Sequence, residues 1–256
     1  MAWKRLPRRL RHGEEATLVE HLGELRARVL ISLAAFVPAF AVAFVFHERL
    51  IEWLIDPLPE GRQLVTLGVT EPFFTSLKVS FFAGLALALP VILYQLWAFL
   101  APAFAEHAQR VVALASAAGG ALFAGGIAFG YFVVLPRALE FLTTFNDDLF
   151  DVQIRASYYF SFVLVALLGL GLVFEMPVFV LTLVRLQVVT AAQLRRNWRL
   201  GIFVVVLVAV LLPTVDPVSL ALEAGPLLAL YFISVWVAGV MERRWQRSGV
   251  LRTAVE

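Results

Sequence analysis

VSFFAGLALALPVILYQLWAFLAPAFA, residues 79–105, runs for 27 residues without one charged side chain. A helix crosses a bilayer with about 20 apolar residues, whereas a spanning strand needs about 10 in strict alternation. This run is too long and too continuous for a barrel strand. It is predicted to be a membrane helix that overshoots the hydrocarbon, so that its last residues emerge at a surface, carry an interfacial Tyr94 and Trp97, and turn at Pro102.

Five further apolar runs occupy residues 29–46, 111–135, 156–184, 200–215 and 218–241. The expected fold class is therefore an all-α membrane protein with six transmembrane helices. The fifth run has 16 residues, roughly 24 Å of helix at ~1.5 Å per residue, and a PTVDP turn at 213–217 ties it to the sixth. Both are read as short helices, and so short a fifth span implies a thinned or recessed bilayer beside it. The chain divides into a basic segment over 1–28 that includes an interfacial amphipathic helix, a six-helix domain over 29–241, and a tail over 242–256.

Composition agrees. With 61% apolar residues, 16% charged residues and a mean hydropathy of +0.85, the polar surface is too small to wrap a soluble core. The net charge of +2 does not indicate nucleic acid, because no soluble segment interleaves arginines with aromatics. Cysteine is absent and the four histidines (His12, His21, His47, His107) are scattered, which leaves no thiolate site and no metal cluster. No cofactor is expected.

Six spans put the two termini and the even-numbered loops on one side. That side holds 16 of the 21 lysines and arginines, so both termini are predicted to be cytoplasmic. The opposite loops are acidic and read as caps, with a turn at Pro57-Leu-Pro-Glu-Gly61 and acidic residues at Glu71 and Asp216. A basic start before an apolar stretch resembles a cleavable signal, but the first run has 18 residues, whereas the apolar core of such a signal has about 7 to 15. An uncleaved first span is favoured.

Glu175 lies in GLGLVFEMPV (169–178), with nine residues between it and Arg185. Nine residues of helix are roughly 14 Å, which places this carboxyl near mid-bilayer, where it costs on the order of 2.5 to 3.5 kcal/mol on insertion scales. Such groups face a cavity or a partner. Pro177 removes helical hydrogen bonding nearby and completes a polar notch. Glu223, early in the sixth run, is expected to snorkel to water. The glycine pair of GIAFG (126–130) is expected to serve internal helix packing. A proton-coupled transporter using Glu175 is the alternative function, weakened by the absence of a visible internal repeat. An intramembrane hydrolase ranks lower, because no histidine falls within a span.

Ahead of the first span, HLGELRAR (21–28) sets Leu18, Leu22 and Leu25 at helical spacing with charges elsewhere. It resembles the "HLxELRxR" pattern of the TatC family, the polytopic receptor subunit of the twin-arginine protein translocase. The resemblance continues through PVILYQLWAFLAP (90–102), YFVVLP (131–136), FEMPV (174–178), EPFF (71–74) and DPVS (216–219), covering nearly all of residues 18–240. It implies binding of twin-arginine signal peptides, assembly with single-span TatA and TatB proteins, export of folded proteins driven by the protonmotive force, and no enzymatic activity. It also implies the cytoplasmic (inner) membrane of a prokaryote, and leaves homo-oligomerisation open. By position Glu24 and Phe99 match residues implicated in signal-peptide recognition and Glu175 matches the buried acidic residue; the expected signal-peptide site comprises Glu24, Arg26, Phe99, Pro102, Glu106 and His107, and the expected partner-helix contact Glu175 and Pro177. One departure stands out: a pattern like "PAL-x-x-H-E-R" places a glutamate where this chain has Ala108, so Glu106 is the candidate replacement.

Overall fold

A computed structural model describes residues 18–100, 108–145, 149, 153–185, 187–212 and 217–247. Its elements in chain order are α1 (Leu18–Val45), α2 (His47–Ile55), β1 (Leu64–Val65), α3 (Glu71–Leu100), α4 (Ala108–Phe129), a π-helical turn (Gly130–Val134), α5 (Leu135–Thr144), β2 (Ile154–Arg155), α6 (Ala156–Val173), α7 (Met176–Arg185), α8 (Ala191–Arg196), α9 (Trp198–Leu211) and α10 (Pro217–Arg247).

Five helices among the described residues are long and apolar enough to cross a membrane: 21–45, 71–99, 112–144, 156–185 and 219–246. The third and fourth combine successive elements, α4 to α5 and α6 to α7. The remaining apolar run forms α9, which at 14 residues is roughly 21 Å long. The expected shortness thus holds for the fifth helix and fails for the sixth. α10 has 31 residues, because Glu242-Arg-Arg-Trp-Gln-Arg247 are tolerated in a helix and carry it past the apolar run.

The interfacial helix expected before the first span is not separate. α1 passes through residue 28 without a break. Leu22 (62% exposed) and Leu25 (41%) point outward, as residues facing lipid do, while the polar face turns onto α3. α1 packs on α3, α3 on α4 and α6, and α10 on α7, α8 and α9. Gly84 sets the α1 crossing: a Cβ there would lie 2.6 Å from the Phe40 Cα.

α4 crosses α6 closely for the same reason. A Cβ on Gly126 would lie 2.7 Å from the Leu170 carbonyl oxygen, and one on Gly130 would press on Leu170 and Leu167, so the GIAFG pair serves internal packing. Beyond Gly130 the helix widens into its π turn. Pro136 has no N–H to return to the Phe132 carbonyl, and the extra residue relieves the clash of its ring.

Two expectations on individual residues are overturned. Trp97 is no interfacial anchor: it is 5% exposed and packs with Leu89, Leu93, Val112, Phe123 and Val178, because α3 stays helical to Leu100 and turns that ring inward, while Tyr94 remains exposed. Glu223 does not snorkel. It is completely buried, since α10 begins at Pro217, six residues earlier, and continues against α5 and the π turn.

The all-helical reading omits one small feature. β1 and β2 pair in parallel, Leu64 with Ile154 and Val65 with Arg155, joining the two acidic-end loops. A two-residue strand carries too few alternations to be seen in a sequence.

Candidate functional site

At the basic end, the start of α1 runs antiparallel to the end of α3. His21, Glu24 and Arg28 recur at i, i+3 and i+7, one face of a helix. Across from them stand Gln95 and Phe99, one turn apart on α3. The His21 and Phe99 rings stack with centroids 4.4 Å apart. Glu24 and Arg28 form an ion pair in which Nε and Nη2 of Arg28 both donate to Glu24 Oε1. Arg28 Nη1 also donates to Gln95 Oε1 at 3.4 Å. The result is a half-buried carboxylate beside an aromatic wall. Arg26 points away from this face and is exposed.

Of the other residues expected here, Pro102, Glu106 and His107 lie outside the described residues, as do Asp216 and the side chain of Ala108. Of the expected residues, Glu24 and Phe99 stand on the facing surfaces of α1 and α3, linked through His21, Arg28 and Gln95. The signal for Arg28 was its spacing of four from Glu24, which is the spacing of a helical ion pair. Gln95 carried a weaker one, a lone amide in an apolar run, one turn before Phe99.

The second polar locus is Glu175. Phe174 and Glu175 form a turn between α6 and α7, where the Glu175 N–H donates to the Leu172 carbonyl at 3.1 Å, a shortened three-residue step. Pro177 explains the break, because it has no N–H to offer the Val173 carbonyl. The Glu175 carboxyl folds inward over Gly119 of α4. A Cβ on Gly119 would lie 2.7 Å from Oε2, 3.1 Å from Oε1 and 3.1 Å from the Leu93 side chain. Both oxygens are buried, and neither has a hydrogen-bonding partner among the described residues. The carboxyl is enclosed by Gly119 of α4, Leu93 of α3 and the α6–α7 turn, and Gly119 is the neighbour that sequence reasoning missed.

The acidic end is built differently. Glu71 opens α3 and accepts four hydrogen bonds: Oε2 from the Leu67 and Gly68 N–H groups (2.9 and 3.3 Å), Oε1 from Arg155 Nε and the Ser157 N–H (3.0 and 3.1 Å). The hydrogen-bonded Glu71 carboxylate pushes the Arg155 guanidinium pKa up. Close by, α2 is tied down by Tyr131, whose hydroxyl donates to the Trp53 carbonyl at 2.8 Å and whose ring stacks on Trp53 at 3.9 Å. Tyr159 donates to the Leu54 carbonyl at 2.7 Å. Pro57 ends α2 in a turn. These contacts tie α2, the start of α3, the π turn and the start of α6 into one cap.

No group of three or more metal-ligating side chains converges among the described residues.

Comparison with known proteins gives one consistent result. Residues 20–226 match the family model described as Sec-independent protein translocase protein (TatC). The chain is 36% identical over 251 residues to the Sec-independent protein translocase protein TatC of Koribacter versatilis, with 93% of this chain and 92% of that one covered. It is 35% identical to TatCd of Bacillus subtilis, covering 91% of this chain and 96% of that one. Among solved structures, a crystal structure of a twin arginine translocase receptor, TatC, superposes with a TM-score of 0.76 at 36% identity, over 85% of this chain and 99% of the other.

Proposed function

This chain belongs to the TatC family of Sec-independent protein translocase proteins, a multi-pass membrane subunit of the Tat translocase, and on that premise we propose that it binds twin-arginine signal peptides and scaffolds single-span partners. In this reading six helices span the prokaryotic inner membrane with both termini cytoplasmic, and α9 is the short fifth span. TatA- and TatB-like helices dock beside the Glu175–Pro177 notch, and folded cargo crosses at the expense of the protonmotive force.

The observation that supports it most is the α1–α3 face, where Glu24 lies beside the His21–Phe99 stack. A guanidinium can engage a carboxylate with two parallel bonds, and partial burial strengthens them, whereas an ammonium acts as a point charge. Pro102 and His107 border that site in this reading, Arg26 lies on the outer side of α1, and Glu106 supplies a second carboxylate near Ala108.

Peptide binding to the purified protein tests this. A twin-arginine peptide should bind more tightly than its twin-lysine counterpart, and Glu24→Ala should cost about 10- to 150-fold in affinity, the loss of one charge-assisted contact. Glu106→Ala should weaken binding too, and Ala108→Glu should strengthen it or leave it unchanged. Equal affinity for both peptides removes the receptor reading. Reporter fusions after Asp148 and Arg247 should read outside and inside; the reverse would overturn the orientation.

A further inference from the structure

We propose that Arg28 is a resident guanidinium that occupies the Glu24 carboxylate and must be displaced by an incoming peptide arginine, so that it sets the affinity of the site. The inference rests on the reading of Glu24 as a peptide contact. Arg28 brings to Glu24 the same chemistry that a signal-peptide arginine brings. Its Nε and Nη2 both sit on Oε1, while Nη1 reaches across to Gln95 on α3. Glu24 and Arg28 side chains are each 22% exposed, so the pair is shielded yet open to exchange from one side.

A carboxylate offers two oxygens, and the strongest grip a guanidinium can take uses both. A peptide arginine that seeks it must take Oε1 from Arg28. Gln95 then matters. Its Oε1 is an acceptor already in contact with Arg28, so the displaced cation keeps a partner on α3. Arg28 thus has two arrangements, on Glu24 with Gln95 or on Gln95 alone, and the peptide selects the second. When the peptide leaves, Arg28 recloses the site. A peptide lysine, a point charge, can settle on Oε2, which Arg28 does not use, without evicting Arg28, so it is less affected by the resident group.

The test uses the full chain in phospholipid nanodiscs, with labelled twin-arginine and twin-lysine peptides. Arg28→Gln should tighten twin-arginine binding by about three- to tenfold, the order expected for release from one half-shielded ion pair, and change twin-lysine binding less than about twofold on the same scale. Arg28→Lys, which keeps the charge and loses the fork, should tighten twin-arginine binding by less; it carries the test if Arg28→Gln fails to fold. On a Glu24→Gln background the effect of Arg28→Gln should vanish. Weaker or unchanged twin-arginine binding in Arg28→Gln overturns the inference. So does equal tightening for both peptides, or tightening that persists without Glu24, because either would be a general effect of net charge. Should Glu24→Gln weaken binding while Arg28→Gln fails to tighten it, only the resident role of Arg28 falls. Should Glu24→Gln change nothing, the reading of Glu24 as a peptide contact falls and takes this inference with it.

Discussion

Glu71 and Glu175 are two inward-turned carboxyls in one chain, and they are treated in opposite ways. Four donors from three segments converge on Glu71, whereas the oxygens of Glu175 are buried over a glycine with no hydrogen bond among the described residues. A satisfied buried carboxylate locks its surroundings; an unsatisfied one costs stability and persists where something else uses it. The first belongs to the architecture of the cap; the second is the carboxyl that the proposed partner-helix contact would use.

The largest expected effect attacks the first half of that contrast. Glu71→Gln keeps the size of the side chain but turns an amide NH2 toward groups that all donate. We expect it to lower the melting temperature more than any other single substitution at the cap, the α4–α6 crossing or the notch, with residues around 64–71 and 154–157 becoming open to protease. A melting temperature like that of the parent would mean that the four bonds do not clamp the cap. Gly126→Ala comes next. Its Cβ would meet backbone, the Leu170 carbonyl oxygen at 2.7 Å and the Gly171 Cα at 2.8 Å, and overpacking of so stiff a contact costs about 1 to 3 kcal/mol in unfolding experiments. Tyr131→Phe keeps the stack on Trp53 and removes one hydrogen bond, so chemical denaturation in detergent should show a loss of about 0.5 to 1.5 kcal/mol.

The smallest effects on stability are expected at the notch, and they sharpen the comparison. In Gly119→Ala the new methyl meets the far end of the flexible Glu175 side chain, which can swing away, so the cost should stay below about 1 kcal/mol while crosslinking to a partner helix falls. Glu175→Gln should leave stability within about 0.5 kcal/mol of the parent, and Glu175→Ala or Glu175→Arg should weaken partner crosslinking or export. Proton uptake by liposomes carrying this chain alone, abolished by Glu175→Gln, would instead support a transporter.

The sequence carried the helices well, because a bilayer demands long apolar runs and tolerates few alternatives. It also carried the break at Glu175, since a proline two residues on has a fixed mechanical effect. What escaped it depends on direction rather than on composition. The Leu22 and Leu25 face of α1 is visible as apolar, but nothing local says that His21, Glu24 and Arg28 would find Gln95 and Phe99, some 70 residues away. Trp97 defeats a sequence reading for a related reason: tryptophan suits both an interface and a core, and only the rotation of α3 decides. Glu71 could be flagged as acidic and external, yet its role arises from Arg155 and Ser157, which no spacing rule connects to it. Gly119 looked like one glycine among 16 until a carboxyl was found lying on it.

The parallel pairing of residues 64–65 with 154–155, reinforced by Glu71, closes a loop of about 90 residues, and loop closure costs more as the loop lengthens, though slowly, as the logarithm of its length. Synthesis runs from the N-terminus, so the first partner must wait while α3, α4 and α5 are made and threaded. The cap can therefore form only after three helical elements are in place and the start of α6 has emerged. Its completion is a timing mark in assembly: a chain stalled before residue 154 has every donor and acceptor of the first loop and no way to close it.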